Sequence, residues 1–184
     1  MSKYLEKNKI EDLISHREKI FAVHKEVYDN YGIDILANDT LSSLSIWEIV
    51  SQYDADYNTN FHRNGEDAKS GQVLIENKCS TVTPSRTKGT VGKAGFQFHA
   101  QGHLVHDRYI FAVRRKDNLK IARIWDVISP TGIAAVQQCL EEGKQKWISK
   151  GKPNHDAIVV PEKLLLTLPV VETLTVGACV VVKV

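Results

Sequence analysis

The stretch Gly-Glu-Asp-Ala-Lys-Ser-Gly-Gln-Val-Leu-Ile-Glu-Asn-Lys, residues 65–78, sets Asp67 nine positions before Glu76 and Lys78 two positions beyond it. The segment Val73–Ser80 opens with β-formers and has strand length. In a strand Glu76 and Lys78 share a face, and Asn77 points to the other. Lys69-Ser70-Gly71 reads as a turn that can bring Asp67 back beside Glu76. Two carboxylates held together repel and raise each other's pKa unless a cation lies between them. Mg2+ suits that gap, because it favours hard oxygen ligands and commonly binds through one or two carboxylates together with substrate phosphates. Such a metal polarises a phosphate and lowers the pKa of a bound water. A nearby lysine steers or helps deprotonate that water and offsets charge in the transition state. The chemistry to expect is in-line, magnesium-dependent hydrolysis of a phosphodiester. Asp67, Glu76 and Lys78 would be catalytic, and Asp67, Glu76 and Asn77 would hold the metal. The same pattern also arises by chance on a solvated strand face, so the elements around it must supply the discrimination.

Upstream, Leu5, Ile10, Leu13, Ile14, Phe21 and Val27 recur near helical spacing among Lys and Glu until Gly32, which predicts a long amphipathic N-terminal helix. Its stripe would pack on its own domain or on a second copy, and two-fold dimers are the commonest oligomers. A second helix is predicted from about Leu41 to Tyr53. Asp39 or Thr40 would cap it, and Leu41, Leu44, Trp47 and Val50 would form its buried face. Residues 82–103 are rich in Gly, Thr and Lys and read as an extended loop or irregular strand with basic tips. The segments YIFAVRR and KIARIWDV around Lys-Asp-Asn predict an antiparallel pair. Ser129-Pro130 predicts an N-cap and first position for a helix from Thr131 to about Lys150. The remainder reads as short strands, with one helical turn at Glu-Lys-Leu-Leu-Leu. No internal repeat, low-complexity tract or linker interrupts the chain, so 1–184 reads as a single domain of α/β (α+β) class.

Composition bounds the partners. The 184 residues are 42% hydrophobic and 25% charged, with a formal net charge of +2, and the pI is about 8.4. A polyanion partner is compatible with this, but the attraction must be local. Arg86, Lys88 and Lys93 supply such charge, with Arg114 and Arg115 further on, for phosphates that position a duplex without reading its sequence. Gln97, His99 and Gln101 alternate onto one face if the segment is extended, and amides and imidazoles read base edges in the major groove. His99, His103 and His106 lack a cysteine or acidic partner at zinc-ligand spacing, so a DNA- or solvent-facing role is expected instead. Glu66 and His62 adjoin the proposed centre and could tune it or hold a second metal. Trp47, Trp125 and Trp147 sit in apolar patterns that suggest core. Three widely spaced cysteines, no apolar signal core and no span-length apolar run point to a cytoplasmic protein without membrane association.

The ordered set of motifs resembles the PD-(D/E)xK nucleases, and within them the PvuII-type restriction endonucleases. YGIDILANDT before a helix, GEDAKSGQVLIENK, the following TKG, the strand YIFAVRR, and KWISKGKPNHDAIVVPEKLL match that family's segments in order. The Asp67-to-Glu76 spacing is one residue shorter than in the family, and its run of consecutive histidines survives only as FQFHAQGH. The resemblance implies a mixed β-sheet flanked by helices, with Asp67 and Glu76 as metal ligands and Lys78 as the catalytic lysine. It also implies minor-groove contact by Asn38 or Asp39, and a homodimer around double-stranded DNA to which residues 1–40 contribute. The implied activity is type II site-specific endodeoxyribonuclease with Mg2+. The alternatives are a repair, nicking or junction-resolving nuclease of the same core, or a catalytically inactive DNA-binding module.

Overall fold

A computed structural model of the chain describes residues 7–36, 40–59, 66–82, 94–99, 104–116, 119–152 and 158–184, with side chains described from Ile14 onward. Two compact units emerge, Met1–Leu41 and Ser42–Val184. The first contains α1 (Lys7–Tyr31). Gly32 ends this helix at φ +68°, a conformation that glycine adopts without a Cβ penalty, and its N–H donates to Tyr28 O at 2.8 Å.

The larger unit is mixed α+β. Its main sheet joins β1 (Tyr57–Thr59), β2 (Ala68–Ser70), β3 (Val73–Val82), β5 (Arg108–Arg115), β6 (Ile121–Val127), β9 (Cys179–Lys183) and β8 (Glu172–Val176), in that spatial order. The β3–β5 and β6–β9 pairs are parallel and the others antiparallel. A second sheet pairs β4 (Gly95–Phe98) with β7 (Ile158–Pro161). Among the described residues the unit's helices are α2 (Thr40–Val50), which belongs to it from Ser42 on, α3 (Pro130–Ser149) and the single turn α4 (Glu162–Leu165). The strands predicted at YIFAVRR and KIARIWDV pair antiparallel as expected. Ser129 caps α3, its Oγ accepting from Gly132 N at 3.0 Å, with Pro130 in the first turn.

Each face of the main sheet buries one apolar cluster. On one side Tyr109, Phe111, Trp125 and Val127 pack with Val136 and Leu140 of α3 and with Phe96, Phe98, Ile158 and Val160 of the small sheet. On the other, Ile75, Ile110, Ala112, Ile124 and Val181 pack with Ile46 and Val50 of α2. Here the expected α2 face is corrected. Leu41 and Trp47 are exposed, while Ser42, Ser43, Ile46 and Val50 are buried. Small serines let the helix lie close to the sheet, and Ser42 hydrogen-bonds Cys79 of β3, so polar residues occupy positions that periodicity assigns to solvent. The helix also stops at Val50 rather than Tyr53, whose phenol is drawn to Asp126 at 3.1 Å. Trp47 is thus not core, whereas Trp125 is buried and Trp147 is partly buried beside the α3-side cluster. Within the segment expected to be irregular, Gly95–Phe98 is a regular strand with Phe96 and Phe98 turned inward.

Candidate active site

The site begins with a tight turn. Ser70 pairs with Val73 across Gly71-Gln72, and Gly71 has φ +58°, as the first central residue of a type II′ hairpin requires. This hairpin sets Asp67, just before β2, against the middle of β3. Asp67 N donates to Ile75 O at 3.1 Å, and its Oδ2 accepts the Asn77 N–H at 3.0 Å.

Glu76 and Lys78 lie on the α3 side of β3, level with Tyr109 and Phe111 of the parallel neighbour β5. The Lys78 ammonium pairs with Glu76 Oε1 and lies 3.4 Å from Asp67 Oδ2, so both carboxylates converge on one cation. Lys78 Nζ also sits 5.3 Å from the centroid of the Phe98 ring, which floors the site with an apolar surface. Side-chain exposures of 10% for Glu76, 19% for Asp67 and 24% for Lys78 describe a recess open to solvent at the Asp67–Lys78 end.

Asn77 behaves differently from its neighbours. Its side chain points to the α2 side, where Nδ2 donates to Tyr57 Oη at 2.6 Å, so the side chain is no ligand for this site. Its backbone N–H faces Asp67, and in a strand a residue's N–H and C=O address the same edge. The carbonyl of Asn77 is therefore the group that could join the two carboxylates. Two carboxylates and a carbonyl form an all-oxygen donor set of the kind Mg2+ accepts. Among the described residues no group of three His, Cys, Asp or Glu side chains is placed to hold a metal.

His106 is a correction. Rather than facing solvent or DNA, it is buried, with Nε2 3.4 Å from Glu76 Oε2. The parallel register of β3 and β5 sets Tyr109 level with Glu76, and His106, tied through its N–H to the Tyr109 hydroxyl, lies beside it. Glu66, also near the centre, is engaged by Lys69 at 3.1 Å, and that ammonium holds its carboxyl below the usual range.

Behind the site, Arg108 donates to Asp126 twice at 2.7 Å and also reaches Asp54. Burial would raise the Asp54 carboxyl, but hydrogen bonds from Arg108 and Ser70 and the guanidinium charge hold it low. Burial pushes up the thiols of Cys79 and Cys139, and that of Cys179 to about 11. No thiol is poised as a nucleophile, since reactivity needs the thiolate.

Of the expected DNA contacts, Gln97 and His99 are exposed on the outer side of β4, alternating with buried Phe96 and Phe98. Arg114 lies on the opposite face of β5 from Phe111 and donates to Thr81 at 3.1 Å, and Arg115 is exposed at the strand end. Asn38, Asp39, His62, Arg86, Lys88, Lys93, Gln101 and His103 lie outside the described residues.

Compared with known proteins, the chain matches no family model, and no curated protein matches it significantly. No helix among the described residues is long and apolar enough to cross a membrane.

Proposed function

We propose that the chain is a magnesium-dependent endonuclease of the type II restriction class, cleaving double-stranded DNA as a homodimer. The observation that carries this reading is the convergence of Asp67, Glu76 and Lys78 in a recess open to solvent. Chance placement on a solvated strand would leave Asp67 unconstrained, yet it is tied to the backbone at Ile75 and Asn77.

Held by Asp67, Glu76 and the Asn77 carbonyl, magnesium would polarise the scissile phosphate and make a bound water more acidic. Lys78 orients the attacking water through its ammonium and offsets charge developing on the phosphoryl oxygens. Phe98 closes the floor beneath the ammonium and limits its solvation from that side. Gln97 and His99 present amide and imidazole groups suited to base edges. The exposed Ile14, Phe21 and Tyr28 of α1, seven residues apart, share a helical face that a second copy would cover. Two-fold symmetry of protein and site would then place one centre on each strand.

The test is digestion of unmethylated phage DNA by the purified protein with Mg2+, beside EDTA and Lys78→Ala controls. Discrete fragments, lost in both controls, are the expected result. Nicks or a smear would move the reading to a repair or junction-resolving nuclease, and intact DNA with a folded protein would reduce it to a binding module.

A further inference from the structure

We infer that His106 is a positioning residue for Glu76, holding one carboxylate oxygen so that the other is presented to the metal and to Lys78. The inference rests on the nuclease reading above and adds a residue that the sequence motif does not contain. Glu76 is gripped at both oxygens: Oε1 by the Lys78 ammonium, and Oε2 by His106 Nε2 at 3.4 Å. A carboxylate contacted at both oxygens is restrained about its last torsion, which favours presenting Oε1 rather than Oε2 to the metal.

The imidazole is itself immobilised. Its side chain is 1% exposed, and it meets the Tyr109 ring edge-on, centroids 5.8 Å apart and planes at 78°. The His106 backbone is held from two elements. Its N–H donates to Tyr109 Oη at 3.1 Å, whose own hydroxyl donates to Leu104 O at 2.6 Å, and its carbonyl accepts from Gln137 of α3 at 3.3 Å. Next to it, Asp107 is strapped to Leu74 of β3 by two hydrogen bonds, Asp107 N to Leu74 O at 3.1 Å and Leu74 N to Asp107 Oδ2 at 3.0 Å. The loop ahead of β5 is therefore braced against the strand that carries Glu76. A solvent-facing histidine would need none of this support. Groups that orient a metal-binding carboxylate typically govern metal affinity about 10–100-fold without touching the metal.

The experiment titrates the full-length protein with Mn2+ in the absence of DNA, read by electron paramagnetic resonance of the free ion, for wild type and for His106→Leu, His106→Asn and His106→Gln. The glutamine amide reaches the place of Nε2, and the asparagine amide stops at the place of Nδ1. Expected are affinities reduced about 10–100-fold in the leucine and asparagine variants and close to wild type in the glutamine variant, with Mg2+-dependent cleavage following the same order. The glutamine–asparagine contrast stands even if the leucine variant fails to fold, because both amides are polar and their fold is checked by circular dichroism. Wild type that binds Mn2+ and cleaves DNA, with all folded variants equal to it or with asparagine matching glutamine, overturns the role of His106 alone. Wild type that neither binds Mn2+ nor cleaves overturns the nuclease reading and this inference with it.

Discussion

Replacing Lys78 by methionine is expected to move two measurements in opposite directions. The side chains are similar in length and both pack on Phe98, so the change removes the charge and little else. In the protein as it stands, the ammonium lies 3.4 Å from Asp67 Oδ2 and pairs with Glu76 Oε1, occupying carboxylate oxygens that a divalent cation needs. Two unit charges at that distance interact by about 1.2 kcal/mol with the dielectric response of water and about 5 kcal/mol at an effective dielectric near 20. The recess is partly solvated and a lysine can swing aside, which argues for the smaller figure. Even that corresponds to a gain of about eightfold in affinity. Lys78→Met should therefore bind Mn2+ without DNA roughly tenfold more tightly than wild type, by calorimetric titration. Turnover should fall about 100–1,000-fold, the usual loss when a group that stabilises transition-state charge is removed. A merely structural ion pair would instead leave unpaired carboxylates and a less stable site. Weaker metal binding in the variant, or cleavage at the wild-type rate, would refute the reasoning.

Arg108→Met should lower stability by about 3–5 kcal/mol in urea unfolding, because it strips Asp126, which is fully buried, of both guanidinium hydrogen bonds. A loss below about 1 kcal/mol would show that the pair is not desolvated as described. Acid should destabilise the fold through Asp54. Its folded pKa lies below the ordinary 3.8, so its contribution is complete well above that value. It is lost as pH falls through 3.8 towards the folded value. Thermal unfolding of wild type against Asp54→Asn between pH 3 and pH 6 should show the difference shrinking as pH falls, and a constant difference would count against the Arg108 contact as its source. Gln97→Ala, exposed on β4, should cost about 1–3 kcal/mol of discrimination between cognate and substituted DNA sites while leaving non-cognate binding unchanged. Uniform weakening on all sequences would make Gln97 a backbone contact instead.

The hairpin that brings Asp67, Glu76 and Lys78 together was legible because everything that shapes it is local. Twelve residues from Asp67 to Lys78 contain the turn glycine, the alternation and the charges, and strand geometry converts their spacing into facing. His106 was not legible, because it reaches Glu76 only through parallel pairing of strands more than thirty residues apart, Glu76 level with Tyr109. Nothing in the two segments' own patterns announces that partnership, whereas the antiparallel pair of β5 and β6 is announced by the short turn between them. The α2 face was misread for another reason. Ser42 and Ser43 are buried through close approach and hydrogen bonding, which periodicity of apolar residues does not register. From β4 into His99 the alternation of Phe96, Gln97, Phe98 and His99 is a regular strand signal, but the glycine-, threonine- and lysine-rich residues before it obscure it.

The register of β3 explains why a polar network stands directly behind the site. Side chains alternate along the strand, so a slip of one residue would turn Glu76 and Lys78 into the cluster around Ile46 and Ile110 and bring Asn77 into the recess. The hydrophobic alternation of this strand opposes such a slip only weakly, because between Ile75 and Val82 it carries Glu, Asn, Lys, Cys, Ser and Thr. Specific polar contacts replace it. Asn77 is fixed to Tyr57 on the α2 side, and its backbone N–H donates to Asp67 Oδ2. A shift of one position would take Asn77 away from Tyr57 and leave its amide buried without that partner, at about 1–3 kcal/mol. The strand can thus carry three consecutive polar residues through the middle of a sheet, with Glu76 and Lys78 on one side and Asn77, which secures them, on the other.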